Sequence, residues 1–486
     1  MAQPAGLAQR SISAALWGAS GSAVQLVLQF GIQVVLARLL GPEQYGLFAM
    51  AGVLVSLGGF FTFGVTSGLI QKRAVNDADV RFANFWQLCV GTIVAAAVFL
   101  LAGPAAGFFQ EPRVAPVIEA LAVVCLIQAL SATAGAILQR ELDFKSVQLA
   151  TLAAYALGYG VVGIPLALAG YGVGALVMAF LTQTLAFAAF LYARTRHPVG
   201  LAIRHRDAGW YCRYAVTVSA THVNNWALMN LSRVVVGRLF PSTAVGLYAL
   251  SYNLVTQLAS TVTGVQAPLF SAGARVQGDP TRLRTLFLTM LAATGLIAAP
   301  AFVGIGAAAP TLVLALYGDA WAECAPLLRA FALAMPFFIA TAMATPMLWN
   351  SGRTTHEFKF QLPIVFVLVA AAGLAARHSL AAVAWAMFGI FVLRFVVITA
   401  AAMRALHLGA RDVGRALRTG IFVSALVAAA IVLVDPLAHN RQLALAVDIG
   451  AGLAVQLAAL RLLRPWFSAE VNALFEKLLA MLPRRA

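Results

Sequence analysis

The chain has 486 residues, of which 62% are hydrophobic and only 10% charged, and its formal net charge is +16. A soluble domain carries about 25% charged residues, so a water-soluble globule is excluded and a bilayer is the expected solvent. There the backbone must pair within itself, leaving helices or a closed barrel, and unbroken apolar runs such as Val423 to Val434 and Leu443 to Leu460 select helices over the alternation of a barrel strand.

In chain order, six spans are predicted near 13–40, 45–70, 83–104, 114–138, 147–169 and 171–193. Six more are predicted near 213–240, 244–270, 284–308, 325–350, 358–376 and 380–404, and a last pair near 418–436 and 443–463. With roughly 20 residues needed per crossing, the count is about fourteen. The expected architecture is all-α and polytopic. It comprises an N-terminal six-helix lobe over 1–194, a cytoplasmic interfacial linker over 195–212 and a second six-helix lobe over 213–405. Two additional spans over 406–464 and an amphipathic cytoplasmic tail over 465–486 complete it.

Alternate loops are basic. One set holds Lys72, Arg73 and Arg81; Arg140 and Lys145; Arg194, Arg196, Arg204 and Arg206; Arg275, Arg282 and Arg284; Arg353 and Lys359; Arg411, Arg415 and Arg418. The intervening loops hold Arg113, Arg377 and Arg441. Basic loops stay in the cytoplasm, so both termini are expected there. The positive charge thus reads as a topology signal and an attraction to anionic lipid rather than to nucleic acid. No cleavable signal peptide is expected. Cys89, Cys125, Cys212 and Cys324 have neither metal nor redox spacing. No Gly-x-x-x-x-Gly-Lys-Ser/Thr loop is present, so no ATP site, cofactor or metal is expected.

The chain repeats itself. Val34 to Leu40 aligns with Val234 to Phe240, and Gly46-Leu47-Phe48-Ala49-Met50 aligns with Gly246-Leu247-Tyr248-Ala249-Leu250, at an offset of 200 residues. Ala115-Pro116 matches Ala325-Pro326 and Phe144-Lys145 matches Phe358-Lys359. Two six-helix halves in one orientation imply a pseudo-twofold axis along the membrane normal and a cavity between lobes that rock, as in parallel-repeat transporters.

The stretch Leu36-Ala37-Arg38-Leu39-Leu40-Gly41-Pro42-Glu43-Gln44-Tyr45-Gly46-Leu47 closely resembles the opening of bacterial Wzx-type polysaccharide-export flippases, in the multidrug/oligosaccharidyl-lipid/polysaccharide exporter superfamily. Gly237-Arg238 with Val245-Gly246-Leu247-Tyr248 resembles the matching signature of the second half. Tyr317-Gly318-Asp319-Ala320-Trp321 and Leu138-Gln139-Arg140-Glu141-Leu142-Asp143-Phe144 also look like that family. One departure is Ser232-Arg233, where members often place an Asp before the Arg. The resemblance implies two six-helix lobes plus two helices. It also implies a cargo of oligosaccharide on undecaprenyl-pyrophosphate, moved to the periplasmic leaflet for O-antigen, capsule or exopolysaccharide synthesis, with a polymerase and chain-length machinery as further partners.

Polar groups at membrane depth are functional candidates. Gln25, Gln29 and Gln33 recur every four residues, forming one stripe; amides suit sugar hydroxyls, with helix–helix hydrogen bonding as the alternative. The seventh and eighth spans add Asn225, Asn230, Tyr252, Asn253 and Gln257 as a polar wall. Arg233 and Arg394 are the deepest cations and suit pyrophosphate. Arg38 and Arg238, at span ends, either touch substrate or snorkel. His222 reads as a packing residue, and buried acids are few, Asp448 and Glu119 among them. That scarcity disfavours the rival reading, a multidrug and toxin extrusion antiporter. Short outer loops and the lack of a catalytic constellation disfavour a polysaccharide polymerase or ligase, so no enzyme is expected; a non-transporting scaffold is the remaining alternative.

Overall fold

Among the described residues every regular element is a helix. The computed structural model describes residues 4–62, 64–72, 74–263, 279–350, 354–437 and 440–463, with isolated positions 465 and 472. The amphipathic tail expected over 465–486 therefore falls almost wholly outside the described residues, as do Arg73, Arg275 and Arg353 of the basic loops.

In chain order the helices are α1 (Pro4–Phe61), α2 (Ser67–Gln71), α3 (Asp77–Leu100), α4 (Ala102–Phe109), α5 (Val114–Arg140), α6 (Phe144–Tyr155), α7 (Ile164–Leu168), α8 (Val173–Thr195), α9 (Ala208–Leu239) and α10 (Ser242–Thr263). They continue with α11 (Pro280–Ala293), α12 (Ala299–Ala307), α13 (Ala309–Leu316), α14 (Cys324–Asn350), α15 (Thr354–Ala375), α16 (Leu380–Leu406), α17 (Ala410–Val434) and α18 (Arg441–Leu462). Ten stretches of helix among the described residues are long and apolar enough to cross a membrane. The differences from the expected spans have local causes. The first two expected spans form one helix, broken only at Gly41 (φ 72°, ψ 174°) before Pro42. Glycine reaches that conformation without strain, and proline cannot donate to the preceding turn. The helices α9 and α10 are long enough but fall outside the ten, because Thr, His, Asn and Gln dilute their apolar content. Lys359–Ala375 is apolar but shorter.

Helix α3 starts earlier than expected, at Asp77, because Asn76 and Asp79 form a reciprocal capping box. Likewise α9 starts at Ala208 rather than near 213. Tyr211 is drawn into its first turn by burial against Leu69 and Phe82.

Two compact units divide the chain, Met1–Ala249 and Leu250–Ala486. Lipid offers apolar faces no incentive to associate, so packing rests on close approach of small residues. In the first unit α5 runs among its neighbours on buried Ala122, Ala129, Ala132, Ala134 and Ala136. A Cβ on Gly91 of α3 would lie 2.3 Å from that of Ala129. In the second unit α14 and α16 pack through Ala340, Ala344, Ile398 and Ala402, with Phe287 of α11 beside them. Exposed Leu100, Val161, Leu168, Ile421, Leu433 and Leu462 supply the lipid-facing surface.

The 200-residue repeat reappears as a contact. A Cβ on Gly46 would sit 1.7 Å from the Ser242 carbonyl oxygen, and one on Gly246 would sit 1.9 Å from the Pro42 carbonyl oxygen. Pro42 and Ser242 are repeat mates, as are Gly46 and Gly246, so the contact is reciprocal, as a local twofold requires. Only glycine permits two backbones to approach this closely.

Candidate functional site

The glutamine stripe of α1 meets α6 through the Gln25 side chain. Gln148 Nε2 donates to Gln25 Oε1 at 2.9 Å, and the Tyr155 hydroxyl donates to the backbone carbonyl of Gln29 at 3.4 Å. The Gln33 carbonyl accepts from the Tyr45 hydroxyl at 3.4 Å. Tyr155 stacks on Tyr159 with ring centroids 4.8 Å apart. That second tyrosine lies in a π-helical stretch, Ala156–Gly163, which joins α6 to α7; such bulges often mark functional sites because they re-aim side chains. Amides and stacked phenols on neighbouring helices provide donors, acceptors and a flat apolar face. These are the groups that recognise sugars by hydroxyl pairing and ring stacking.

Helix α9 runs along the second part of α1. Trp226 Nε1 donates to Ser56 Oγ at 2.9 Å, and His222 stacks on Phe60 with centroids 5.3 Å apart. Asn225 is exposed, Asn230 turns its Nδ2 onto the Trp226 carbonyl (3.1 Å) and Arg233 is half-buried. Arg38 is exposed. Arg238 donates to the Phe108 carbonyl at 2.8 Å and lies over the Phe108 ring at 5.6 Å, an anchoring geometry for a cation at a helix end.

In the second unit Tyr252 is only 3% exposed and meets Phe331 edge-on at 5.2 Å. Asn253 is exposed, Gln257 is half-buried with its carbonyl accepting from Ser260 Oγ, and Arg394 is half-buried on α16. Asp448 is fully buried with Asp435 as its neighbour; Asp435 accepts from Thr311 Oγ1.

Sequence reading did not reach Gln148 and Tyr155 as partners of α1, nor the stack of Tyr159 on Tyr155. The four-residue spacing of the tyrosines was the available signal. It also did not reach a charged cluster at the Lys72 end of the first unit. There Asp79, 1% exposed, receives hydrogen bonds from Lys72 Nζ, from the Tyr211 hydroxyl (3.1 Å) and from the Asn76 backbone N–H (3.1 Å). His205 Nε2 lies 3.3 Å away from it. His205 Nδ1 accepts from the Asp207 backbone N–H, which puts the ring proton on Nε2, facing Asp79. Lys72 Nζ also bonds Asp207 at 2.6 Å. Burial works against the Lys72 charge, but its hydrogen bonds to Asp207 and Asp79 outweigh that and raise its pKa. The same bond from Lys72 holds the Asp207 carboxyl below its ordinary range. The ligand atoms of Asp79, His205 and Asp207 lie within 4.8 Å of one another, but the Lys72 ammonium, bonded to both carboxylates, fills the place of a cation. The cluster is therefore a clasp between the start of α3 and the segment before α9.

The profile of a family described as "Polysaccharide biosynthesis protein" matches residues 35–326 of this chain, more than half its length. The chain belongs to that family. The chain is similar to the lipopolysaccharide biosynthesis protein WzxC of Escherichia coli (strain K12), 26% identical over 381 residues and covering 75% of each chain. It is also similar to the succinoglycan biosynthesis transport protein ExoT of Rhizobium meliloti (strain 1021), at 25% identity over 69% of this chain and 68% of the relative. In fold, it resembles the inward closed conformation of lipid II flippase MurJ with a TM-score of 0.74 and 11% identity, over 96% of this chain and 99% of the other. An inward-facing multidrug resistance MATE family transporter of the MOP superfamily matches at a TM-score of 0.59 and 15% identity, over 78% and 94%. The fold is thus that of polytopic helical transporters, as the sequence resemblance implied.

Proposed function

We propose that this family member is a flippase for polyprenyl-pyrophosphate-linked oligosaccharide, carrying it across a bacterial inner membrane by alternating access for O-antigen, capsule or exopolysaccharide assembly. The observation that carries this reading is the family match over residues 35–326. Relatives named for lipopolysaccharide and succinoglycan biosynthesis, one of them for transport, support it. The helical fold it shares with a lipid II flippase extends that support over nearly the whole chain. The MATE likeness is lower in TM-score and covers less of the chain, so the multidrug extruder is the weaker reading. The protein is a carrier and not a catalyst. Its termini are cytoplasmic, six-helix lobes occupy 1–194 and 213–405, and a polymerase with its chain-length machinery takes up the product.

In this reading Gln25, Gln29, Gln33, Asn225, Asn230, Tyr252, Asn253 and Gln257 pair with sugar hydroxyls as the cargo passes. Arg233 and Arg394 bind the pyrophosphate through the guanidinium fork, with Arg38 and Arg238 at the span ends receiving it. Tyr155, Tyr159 and Gln148 join the sugar wall. The test is reconstitution into liposomes with fluorescently tagged undecaprenyl-pyrophosphate oligosaccharide in both leaflets, followed by a membrane-impermeant quencher. Quenching beyond the outer-leaflet share is expected. A plateau at that share in active liposomes, with uptake of a cationic dye instead, would establish the extruder reading.

A further inference from the structure

One apolar groove in the first unit takes no part in the polar wall. Its walls come from α3, α5 and α8, with Leu88, Leu130, Leu185 and Ala189 among the lining, and the segment Val199 to Leu201 forms its rim. It encloses about 610 Å³, within the ~300–1,000 Å³ span of ligand pockets. The rim is built by a sharp turn. Helix α8 ends at Arg196 in the left-handed region (φ 44°). His197, 5% exposed, is then pinned by the Thr195 hydroxyl at 3.0 Å and by the Tyr192 ring. Burial pushes the His197 pKa down, so its ring adds no charge to the groove. The chain then passes α3, where Trp86 Nε1 donates to the Ile203 carbonyl at 3.2 Å.

Two features of this segment are unexplained by packing. Val199, Leu201 and Ile203 are 57%, 86% and 64% exposed, an apolar edge that water would penalise. Around it stand Arg81, Arg196, Arg204 and Arg206, none in an ion pair with a described residue. Arg81 lies against the rim, its Cδ 3.8 Å from where a Cβ on Gly200 would be. An apolar slot beside cations that have no ion pair among the described residues is complementary to an amphiphile with an acyl chain and a phosphate.

We propose that this groove is a binding site for an anionic glycerophospholipid, one acyl chain lying along Leu88, Leu130 and Leu185 and its phosphate held by Arg81, Arg196 and Arg204. The bound lipid seats the 196–207 segment at the membrane surface, and with it His205 and Asp207 of the clasp. The cargo is the less suitable occupant. Its oligosaccharide needs amides and hydroxyls, and the rim offers cations, with Asn84 and His197 the groove's buried polar groups.

Native mass spectrometry of the full chain in neutral detergent tests this, with phosphatidylglycerol, phosphatidylcholine and undecaprenyl phosphate as probes. Phosphatidylglycerol should be retained about tenfold more than phosphatidylcholine, a discrimination that a few interfacial arginines readily supply. Arg81→Gln with Arg204→Gln should abolish the preference. Ala189→Trp, which fills the groove from a lipid-facing position without changing charge, should lower occupancy of both phospholipids. The proposal is overturned if the two phospholipids bind equally, if neither variant changes retention, or if undecaprenyl phosphate displaces phosphatidylglycerol at equal concentration, which would give the groove to the cargo. A free inorganic phosphate that removes the preference, with Ala189→Trp inert, would also overturn it.

Discussion

The two ends of the first unit are held by unlike means. At the Lys72 end, charges join segments 135 residues apart in sequence, through Lys72 and Asp207. At the other end, Gly46 and Gly246 bring two backbones together with no side chain between them. A charged clasp has several partners and can re-form after movement, and its strength depends on protonation. A glycine crossing tolerates nothing added but is indifferent to pH. The contrast suits a molecule that fixes one end of a helix set and works the other.

The glycine end should break hardest. Gly246→Val places carbon within 2 Å of a backbone oxygen, so the helices must part, at a cost on the order of 3 kcal/mol or more. A melting temperature in detergent equal to that of the parent would refute the close crossing. At the clasp, Lys72→Met strands the carboxylate of Asp79 in a buried site. Removing one partner of such a pair costs roughly 3 kcal/mol, and Lys72→Met with Asp79→Leu should recover much of it, because the stranded charge goes too. Non-recovery in that double variant would show that Asp79 acts mainly through Tyr211 and Asn76.

Between the ends, Arg233→Ala should lower surface polysaccharide about tenfold, the worth of one charge-assisted hydrogen bond. Arg233→Lys should restore it only in part, and neither change should shift melting as the first two do. Unchanged polysaccharide in both would remove Arg233 from the cargo path. The smallest effect concerns pH. The folded pKa of Asp207 is depressed, so its contribution is present above its unfolded value of 3.8 and is lost as pH falls through the folded value. The raised Lys72 contributes below 10.5 and loses its effect as pH rises through the folded value. Melting should therefore fall on strong acidification, and less so in Asp207→Asn. An identical acid profile in the two proteins would show that Asp207 carries none of it.

Much of this was written in local sequence. Apolar runs gave the helices, and Gly41-Pro42 marked the break in α1. The 200-residue offset named the pairs Pro42/Ser242 and Gly46/Gly246 without revealing that they touch. A repeat states equivalence, whereas contact depends on where the helices cross. The glutamine stripe was visible from its four-residue spacing, but its partners Gln148 and Tyr155 stand more than 120 residues away. The clasp was hidden for the same reason, and because Lys72 already served as an orientation signal. Tyr211 falls within the stretch expected as an interfacial linker, yet it is buried against Phe82, since the helix starts early enough to turn it inward.

The most direct test of the central claim is to delete the gene in its host and examine polyprenyl lipids by mass spectrometry. The account predicts accumulation of a discrete undecaprenyl-pyrophosphate-linked oligosaccharide together with loss of a surface polysaccharide, both reversed by the intact chain. Unchanged surface glycan with no accumulated intermediate, and a gain in drug sensitivity, would contradict it.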